Sequence, residues 1–409
     1  VVTIYEESCA RAVDAMGALQ REHDMVEVRA ERFPSIDLHA LRAATAKPII
    51  LTYRGQHMAR SIVARAMEAG IDFVDVEWRE GIEIVAPERT VLSHHDYEGM
   101  RDVERIMKAM RGRHCAFTKL AATPQTFADN ERLLALLPGT VIGMGEHGLY
   151  ARILAPFKGA ELTFVAATNM AAPGQLTLER ALDIYGRGPL RADRVFAVAG
   201  NPAGHSLSPS IHNRLFREKH VPAAYTIASI DRFAEITEAF LRGEPCGLSV
   251  TAPFKEEAFD FAVAHGAELG DNARRARAVN TLVNIRGRII ADNTDVDGFA
   301  ALLPHATKAA VLGAGGTARA ALVALENAGI PATVYNRTVS KGDLPLDALQ
   351  SFDGDLIVNT LPPGANVAIP PCAHVIEAAY GAGQRGGLAL LEAQAVRQHE
   401  LFMKVFDES

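Results

Sequence analysis

Two lysines and a glycine-rich turn carry the chemistry open to this sequence. Lys255 follows a proline turn in GLSVTAPFKE (247–256) and begins a helix, and Asp295 sits in ADNTDVDGF (291–299), dense in Asn, Thr and Asp. A lysine paired with a carboxylate can hold and relay a proton at a carbonyl or alcohol oxygen while a nicotinamide moves a hydride. Ser206 and Ser208, in GNPAGHSLSPSIHN (200–213), add two hydroxyl donors suited to a carboxylate, and Asn280 lies in AVNTLV (278–283). In the first half of the chain Glu27, Arg29, Arg54, Glu77, His95 and Lys119 each stand at the end of a short apolar run, with Arg152 just past the seventh such run. A hydrophobic core would not select charges at those places.

Those runs define the elements that must position the charges. They are VVTI (1–4), VEVR (26–29), IILTYR (49–54), FVDVEW (73–78), TVLSHH (90–95), AFTKL (116–120), TVIGMG (140–145) and LTFVAA (162–167). They are β-branched and nearly uninterrupted, as strands buried on both faces are. Helix-forming stretches such as ARSIVARAMEAG (59–70) separate them. Eight β-α units in a row predict a (β/α)8 barrel, with its chemistry at the C-terminal ends of the strands.

A glycine turn marks a third region. Gly313, Ala314, Gly315, Gly316, Thr317 and Ala318 follow the strand AAVL and open a helix, within AAVLGAGGTARAALVALENAGIPATVYNRT (309–338). That strand–turn–helix–strand frame is the context in which such glycines approach a pyrophosphate, with Ala318 standing for the third glycine at a helix–strand contact. An acid at the end of the second strand would select NAD; Asn336, Arg337 and Thr338 occupy that place and suit a 2′-phosphate, so the expected cofactor is NADP.

The second-half strings, in order, resemble shikimate dehydrogenase from about residue 194 to the C-terminus. The resemblance implies that Lys255 and Asp295 are the catalytic pair and that Ser206 and Ser208 bind the substrate carboxylate. It assigns ring hydroxyls to Thr251 and Asn280, and gives Gln394, in the closing helix GLALLEAQAV (387–396), a reach to the substrate. The chain departs from the family in a shorter stretch between Tyr380 and Gly386 and an abbreviated segment after Arg337.

The first half resembles type I 3-dehydroquinate dehydratase through EVRAERF (27–33), DVEW (75–78), SHHD (93–96), TKLA (118–121), MGEHGLYAR (144–152) and APGQL (172–176). This implies that Lys119 forms an imine with a substrate ketone and that His95 moves protons during loss of water. Arg29, Arg54, Arg152 and Gln175 then hold the substrate carboxylate and hydroxyls, and Glu27 helps orient the histidine. Burial among other cations is expected to keep some of the lysine nucleophilic. Where the family has a Glu-Gly-Gly loop after the arginine, this chain runs Arg54, Gly55, Gln56, His57, and Ala171 replaces a serine common before APGQ.

At 409 residues, 48% hydrophobic, the chain can build several cores, and YGRGPLRAD (185–193) and LLPHATK (302–308) are its natural divisions. The expected layout is a barrel over 1–188, a substrate-binding lobe over 193–303, a Rossmann NADP lobe over 304–380 and a returning helix over 381–409. A net charge of −7 without a basic stripe argues against nucleic acid and membrane surface as partners. Four scattered cysteines without a CxxC pair indicate reduced thiols and no zinc site. No apolar stretch reaches the roughly 18 residues of a membrane span. With an acidic N-terminus unlike a signal peptide, the expected location is the cytoplasm, or a plastid if a transit peptide has been removed. The leading functional reading is a bifunctional enzyme of the shikimate pathway, acting on 3-dehydroquinate, 3-dehydroshikimate and shikimate. The alternatives are a dehydrogenase whose barrel is a non-catalytic binding or regulatory scaffold, and a quinate or NAD-preferring dehydrogenase. Oligomeric state is left open.

Overall fold

The structure is a computed structural model that describes residues 1–19, 23–33, 35–54, 60–362, 364–365, 367–379 and 386–407. The loop after Arg54 and the segment from Tyr380, where the sequence departs from the two families, fall outside the described residues. By contact the chain divides into two compact units, Val1–Asp193 with Thr226–Ser229, and Arg194–Tyr225 with Ile230–Ser409.

In the first unit the strands Val2–Ile4, Val26–Arg29, Ile49–Thr52, Phe73–Glu77, Thr90–Asp96, Phe117–Ala122, Thr140–Gly143 and Val165–Ala166 form one parallel sheet. Its order by chain position is seventh, sixth, fifth, fourth, third, second, first, eighth, the cyclic order of a (β/α)8 barrel. A bridge between Gly139 and Ala160, and the Leu162 amide donating to the Thr140 hydroxyl, link the segments flanking its two ends.

Alternation along these strands separates two cores. Ile4, Val26, Val28, Ile49, Leu51 and Val74 pack outward against helix residues such as Ala12, Leu41 and Ala66. Positions of the opposite parity, among them Met25, Ile50, Phe73, Val91 and Phe117, cluster together with Phe164. The next residue of that parity on each strand is polar: Thr3, Glu27, Thr52, Asp75, Ser93 and Lys119, all buried. One step further come Tyr5, Arg29, Arg54, Glu77 and His95. The barrel interior therefore changes from apolar to charged along the strand direction.

In the second unit Gly247–Val250 pairs parallel with Arg194–Gly200 and antiparallel with Thr281–Ile285, and Arg288–Asp292 extends the sheet. A separate all-parallel sheet is centred on Ala309–Leu312, flanked by Ala332–Asn336 and Leu356–Asn359. The first connection of this second sheet is the glycine turn and the helix Gly316–Asn327, as in a Rossmann unit. The long helix Leu388–Asp407 packs Phe402 on Phe196, 4.8 Å between ring centroids.

Two imidazoles are buried beside that contact. His212 stacks on Tyr225 at 4.5 Å and lies 6.0 Å from His399, whose ring nitrogens find no partner among the described residues. Burial holds His212 down to about 3 and His399 to about 4. Both stay neutral when folded, whereas the unfolded chain protonates them near pH 6.5. Stability is therefore full above pH 6.5 and drains as pH falls toward 4 and then 3, because the unfolded state binds the extra protons. The melting temperature should fall below pH 6.5, and His399→Phe, which removes one of the two titrations without deleting a hydrogen bond, should flatten that fall. An unchanged acid limb in the variant would remove His399 from the account.

Candidate functional sites

Lys119, 4% exposed, sits in the middle of the charged layer. Its Nζ lies 3.4 Å from Glu27 Oε1 and 3.3 Å from Asp75 Oδ2, and 3.9 Å above the centre of the Phe164 ring. Glu27 accepts from the hydroxyls of Thr3 (2.8 Å) and Thr52 (2.9 Å). Asp75 accepts from Ser93 Oγ at 2.5 Å and from Arg54 Nη2 at 2.9 Å. Burial by itself would raise both carboxyls. For Glu27, Lys119 and Arg29 outweigh it, and for Asp75, Arg54 and Lys119 do, so both acids lie below the usual carboxylate range and stay ionised.

The histidine stands one step toward the mouth. His95 Nδ1 is 2.8 Å from Glu77 Oε2, and its backbone amide donates to Glu77 Oε1 at 2.9 Å. Arg54 joins the groups, with Nη1 on Glu77 at 2.7 Å and Nη2 3.4 Å from His95 Nε2. Burial, with Arg54 and Lys119 nearby, pushes His95 below its ordinary range against the opposing pull of Glu77. Neutral imidazole, the basic form, therefore predominates at pH 7.

Arg152 is in a different condition. Its Nε donates to Gly143 O at 2.7 Å and its Nη2 to Pro173 O at 3.4 Å, and no carboxylate pairs with it among the described residues. Burial lowers it to about 10, still a cation at neutral pH. Two local features put it there. A Cβ on Gly143 would stand 2.1 Å from Gly148 O, so only glycines let the strand end and the helix Leu149–Leu154 touch. Asn130, buried, fixes the same corner by donating to His147 O and accepting from the Ala151 amide. A desolvated guanidinium without a counter-charge suits an anionic ligand. Gln175 donates to Thr3 Oγ1 and accepts from the Ala171 amide at 2.9 Å, a bond that does not require a side chain at position 171.

The structure thus gathers Glu27, Arg54, His95 and Lys119 at one end of the barrel, with two differences from expectation. The acid on the imidazole is Glu77, while Glu27 stands at the lysine. The groups nearest Lys119 are carboxylates, where cations were expected, because the same-parity positions of the neighbouring strands carry Glu27 and Asp75. Arg29 pairs with Glu31 at 2.6 Å and lies over Tyr5. Asp75 and Ser93 were missed by sequence reasoning. Each stands two residues before a recognised group, Glu77 and His95, and that period of two was the available signal.

In the second unit a cavity of about 670 Å³ is lined by Ser206, Ser208, Thr251, Lys255, Asn280, Asp295 and Gln394. Lys255 Nζ lies 2.5 Å from Asp295 Oδ2. Asn280 Nδ2 donates to the other oxygen, Oδ1, at 2.8 Å, and Thr294 donates to Gln394 Oε1 at 3.0 Å. Ser249 and Gln398 also line the cavity and hydrogen-bond to each other at 2.5 Å. Sequence reasoning missed both. Ser249 is two residues before Thr251 on a strand, and Gln398 is four after Gln394 on a helix, so each shares a face with a recognised residue.

The glycine turn fits a dinucleotide. Gly313 has φ +101°, and a Cβ there would meet Thr360 Oγ1 at 2.7 Å; at Gly315 a Cβ would meet nothing within 4 Å, so the space beside that backbone is open to a phosphate. Ala318 is fully buried in the helix–sheet core. The Gly313 amide donates to Tyr335 O, which brings the end of the second strand, with Asn336 and the exposed Arg337 and Thr338, beside the turn.

Comparison with known proteins agrees with this division. Residues 1–187 match the family described as type I 3-dehydroquinase, and residues 198–282 match the shikimate dehydrogenase substrate binding domain. The chain thus carries a type I 3-dehydroquinase domain followed by a shikimate dehydrogenase substrate binding domain. It is 27% identical over 372 residues to the chloroplastic bifunctional 3-dehydroquinate dehydratase/shikimate dehydrogenase of Arabidopsis thaliana, covering 78% of this chain and 61% of that protein. It is 27% identical over 384 residues to the shikimate biosynthesis protein AroDE of Chlamydia pneumoniae, covering 83% and 79%. The solved structure of dehydroquinate dehydratase and shikimate dehydrogenase from S. pombe AroM matches 100% of this chain and 97% of its own, at 22% identity and a TM-score of 0.40. The chain spans about three fifths of the Arabidopsis relative's length.

The Glu77–His95 pair is open to direct titration. NMR of the His95 ring should give a midpoint below 6.5, and Glu77→Gln, which keeps a hydrogen-bond acceptor but removes the charge, should move it lower still. A higher midpoint in the variant would show that Glu77 does not stabilise the imidazolium.

Proposed function

We propose that the chain dehydrates 3-dehydroquinate to 3-dehydroshikimate in its first unit and reduces that product to shikimate with NADPH in its second. The observation that carries this reading is that each unit seats a lysine within 3.4 Å of a carboxylate, in the company its chemistry needs. At the barrel mouth Glu27 and Asp75 stay ionised beside Lys119, so neutral His95 takes the lysine's proton, and the free amine attacks the substrate ketone. The resulting hydroxyl takes that proton back from His95 and leaves as water, giving an iminium and restoring the neutral imidazole. That cation withdraws electrons from the adjacent carbon, so neutral His95 removes its proton. The electron pair forms the new double bond as the β-hydroxyl leaves, taking the proton from His95 to depart as water. Hydrolysis of the iminium returns the ketone and the amine. Arg152, with no carboxylate partner among the described residues, receives the substrate carboxylate.

In the second unit Ser206 and Ser208 orient the substrate carboxylate, and Thr251, Asn280 and Gln394 take the ring hydroxyls. Lys255, held by Asp295, donates a proton to the carbonyl oxygen as it becomes an alkoxide. The backbone of Gly313, Ala314, Gly315, Gly316, Thr317 and Ala318 would hold the NADP pyrophosphate, with Asn336, Arg337 and Thr338 at the 2′-phosphate. Bound NADPH supplies the hydride. A cytoplasmic or plastid location accords with the described residues, where no helix is long and apolar enough to cross a membrane.

The test is a paired assay. 3-Dehydroquinate should give enone absorbance, and added NADPH should then be oxidised. Lys119→Ala should abolish enone formation and borohydride trapping of the substrate while sparing reduction of supplied 3-dehydroshikimate. Lys255→Ala should do the reverse, with reduction slowed about 10²-fold or more. Wild-type turnover in both variants would overturn the assignment, and reduction without enone formation in the wild type would make the barrel a scaffold. Arg337→Ala should raise KM for NADPH roughly tenfold, the worth of one charge-assisted hydrogen bond, and leave KM for NADH unchanged; equal effects on the two would separate Arg337 from the 2′-phosphate.

A further inference from the structure

The glycine turn also reaches the catalytic lysine. Lys255 Nζ donates to Thr317 Oγ1 at 2.9 Å as well as to Asp295 Oδ2 at 2.5 Å. Lys255 begins the helix Lys255–Ala264, and Thr317 is the second residue of the helix Gly316–Asn327. The two helix starts are pressed together, since a Cβ on Gly316 would stand 3.0 Å from Lys255 Cβ and 3.1 Å from Ala278 Cβ. Arg319 pairs with Glu256 at 2.6 Å one turn along, a half-exposed bond that adds little by itself.

We propose that Thr317 is a positioning residue for Lys255, a role that rests on reading this lysine as the proton donor. An ammonium has three N–H donors in tetrahedral array. With Asp295 as its only partner, Lys255 could turn about the Nζ–Oδ2 axis and carry its other protons anywhere on a cone. A second acceptor fixes that rotation. Two N–H bonds are then committed, and the third is directed toward the cavity that Lys255 lines. The hydroxyl has no competing local duty, for Gly315 is the N-cap of its helix and no side chain caps it. A glycine turn needs only a small residue at position 317, so packing alone does not explain a hydroxyl there.

The experiment compares Thr317→Val, which keeps shape and loses the acceptor, with Thr317→Ser, which restores it. At saturating NADPH and 3-dehydroshikimate, Thr317→Val should lower kcat about tenfold, while the NADPH dissociation constant by fluorescence titration moves less than about threefold. Thr317→Ser should return kcat to within about threefold of wild type. A second readout needs no turnover: in the cofactor-free protein, mass spectrometry should show Lys255 acylated faster by an amine reagent in Thr317→Val, and at the wild-type rate in Thr317→Ser. Unchanged kcat and labelling in Thr317→Val would overturn the proposal. So would a loss confined to NADPH affinity, or a serine variant as impaired as the valine one. If the wild type fails to reduce 3-dehydroshikimate, the functional reading falls, and labelling still decides whether Thr317 holds the lysine.

Discussion

An ammonium inside a barrel must be neutralised by its neighbours, because leaving water costs several kcal/mol even after the surroundings relax. Much of the first unit follows from that constraint on Lys119. Alternation along six parallel strands delivers one polar layer to the interior, and in it Glu27 and Asp75 are the anions that make the lysine tolerable. Each anion then needs its own donors, which Thr3, Thr52, Ser93 and Arg54 provide. Arg54 in turn extends the network to Glu77 and His95. These groups are thus bound into a network in which removing any one charge strands another, as a buried ion pair does.

The two lysines are solvated by the protein in different ways. Lys119 lies between two ionised carboxylates and above an aromatic face, deep in the barrel. Lys255 has one carboxylate and one hydroxyl, beside an open cavity. In the reading proposed above, Lys119 must be relieved of a proton before it can act as a nucleophile, whereas Lys255 needs the direction of its proton fixed.

The strands, the glycine turn and the residues that end each strand were legible because they rest on local rules, period two and turn chemistry. The partners were less legible. Glu27 and Glu77 both end strands and both are acids, so nothing in their immediate neighbours says which one meets His95; the stagger between strands decides it, pairing Glu77 with Ser93 and placing His95 one step beyond. Asp75 reads locally as a polar residue inside an apolar run, and its partnership with Lys119 crosses 44 residues. Thr317 belonged to a recognised motif, where its backbone was expected to serve the cofactor. Its hydroxyl serves a lysine 62 positions away, a contact no local pattern encodes.

The charge balance at the barrel mouth also assigns Arg152. Glu27, Asp75 and Glu77 bring three negative charges, Lys119 and Arg54 two positive ones, and His95 is neutral, while Arg29 is taken up by Glu31. That cluster satisfies itself to within one negative charge and would repel an anionic substrate. Arg152 stands apart from it, desolvated and bonded only to carbonyl oxygens among the described residues. A carboxylate arriving at Arg152 regains for it the counter-charge that its surroundings withhold, and does so away from the repelling acids. On the proposed reading the substrate's ketone is then left for the lysine end of the site, and its orientation would follow from the separation of Arg152, without a carboxylate partner among the described residues, from a nearly self-neutralising network.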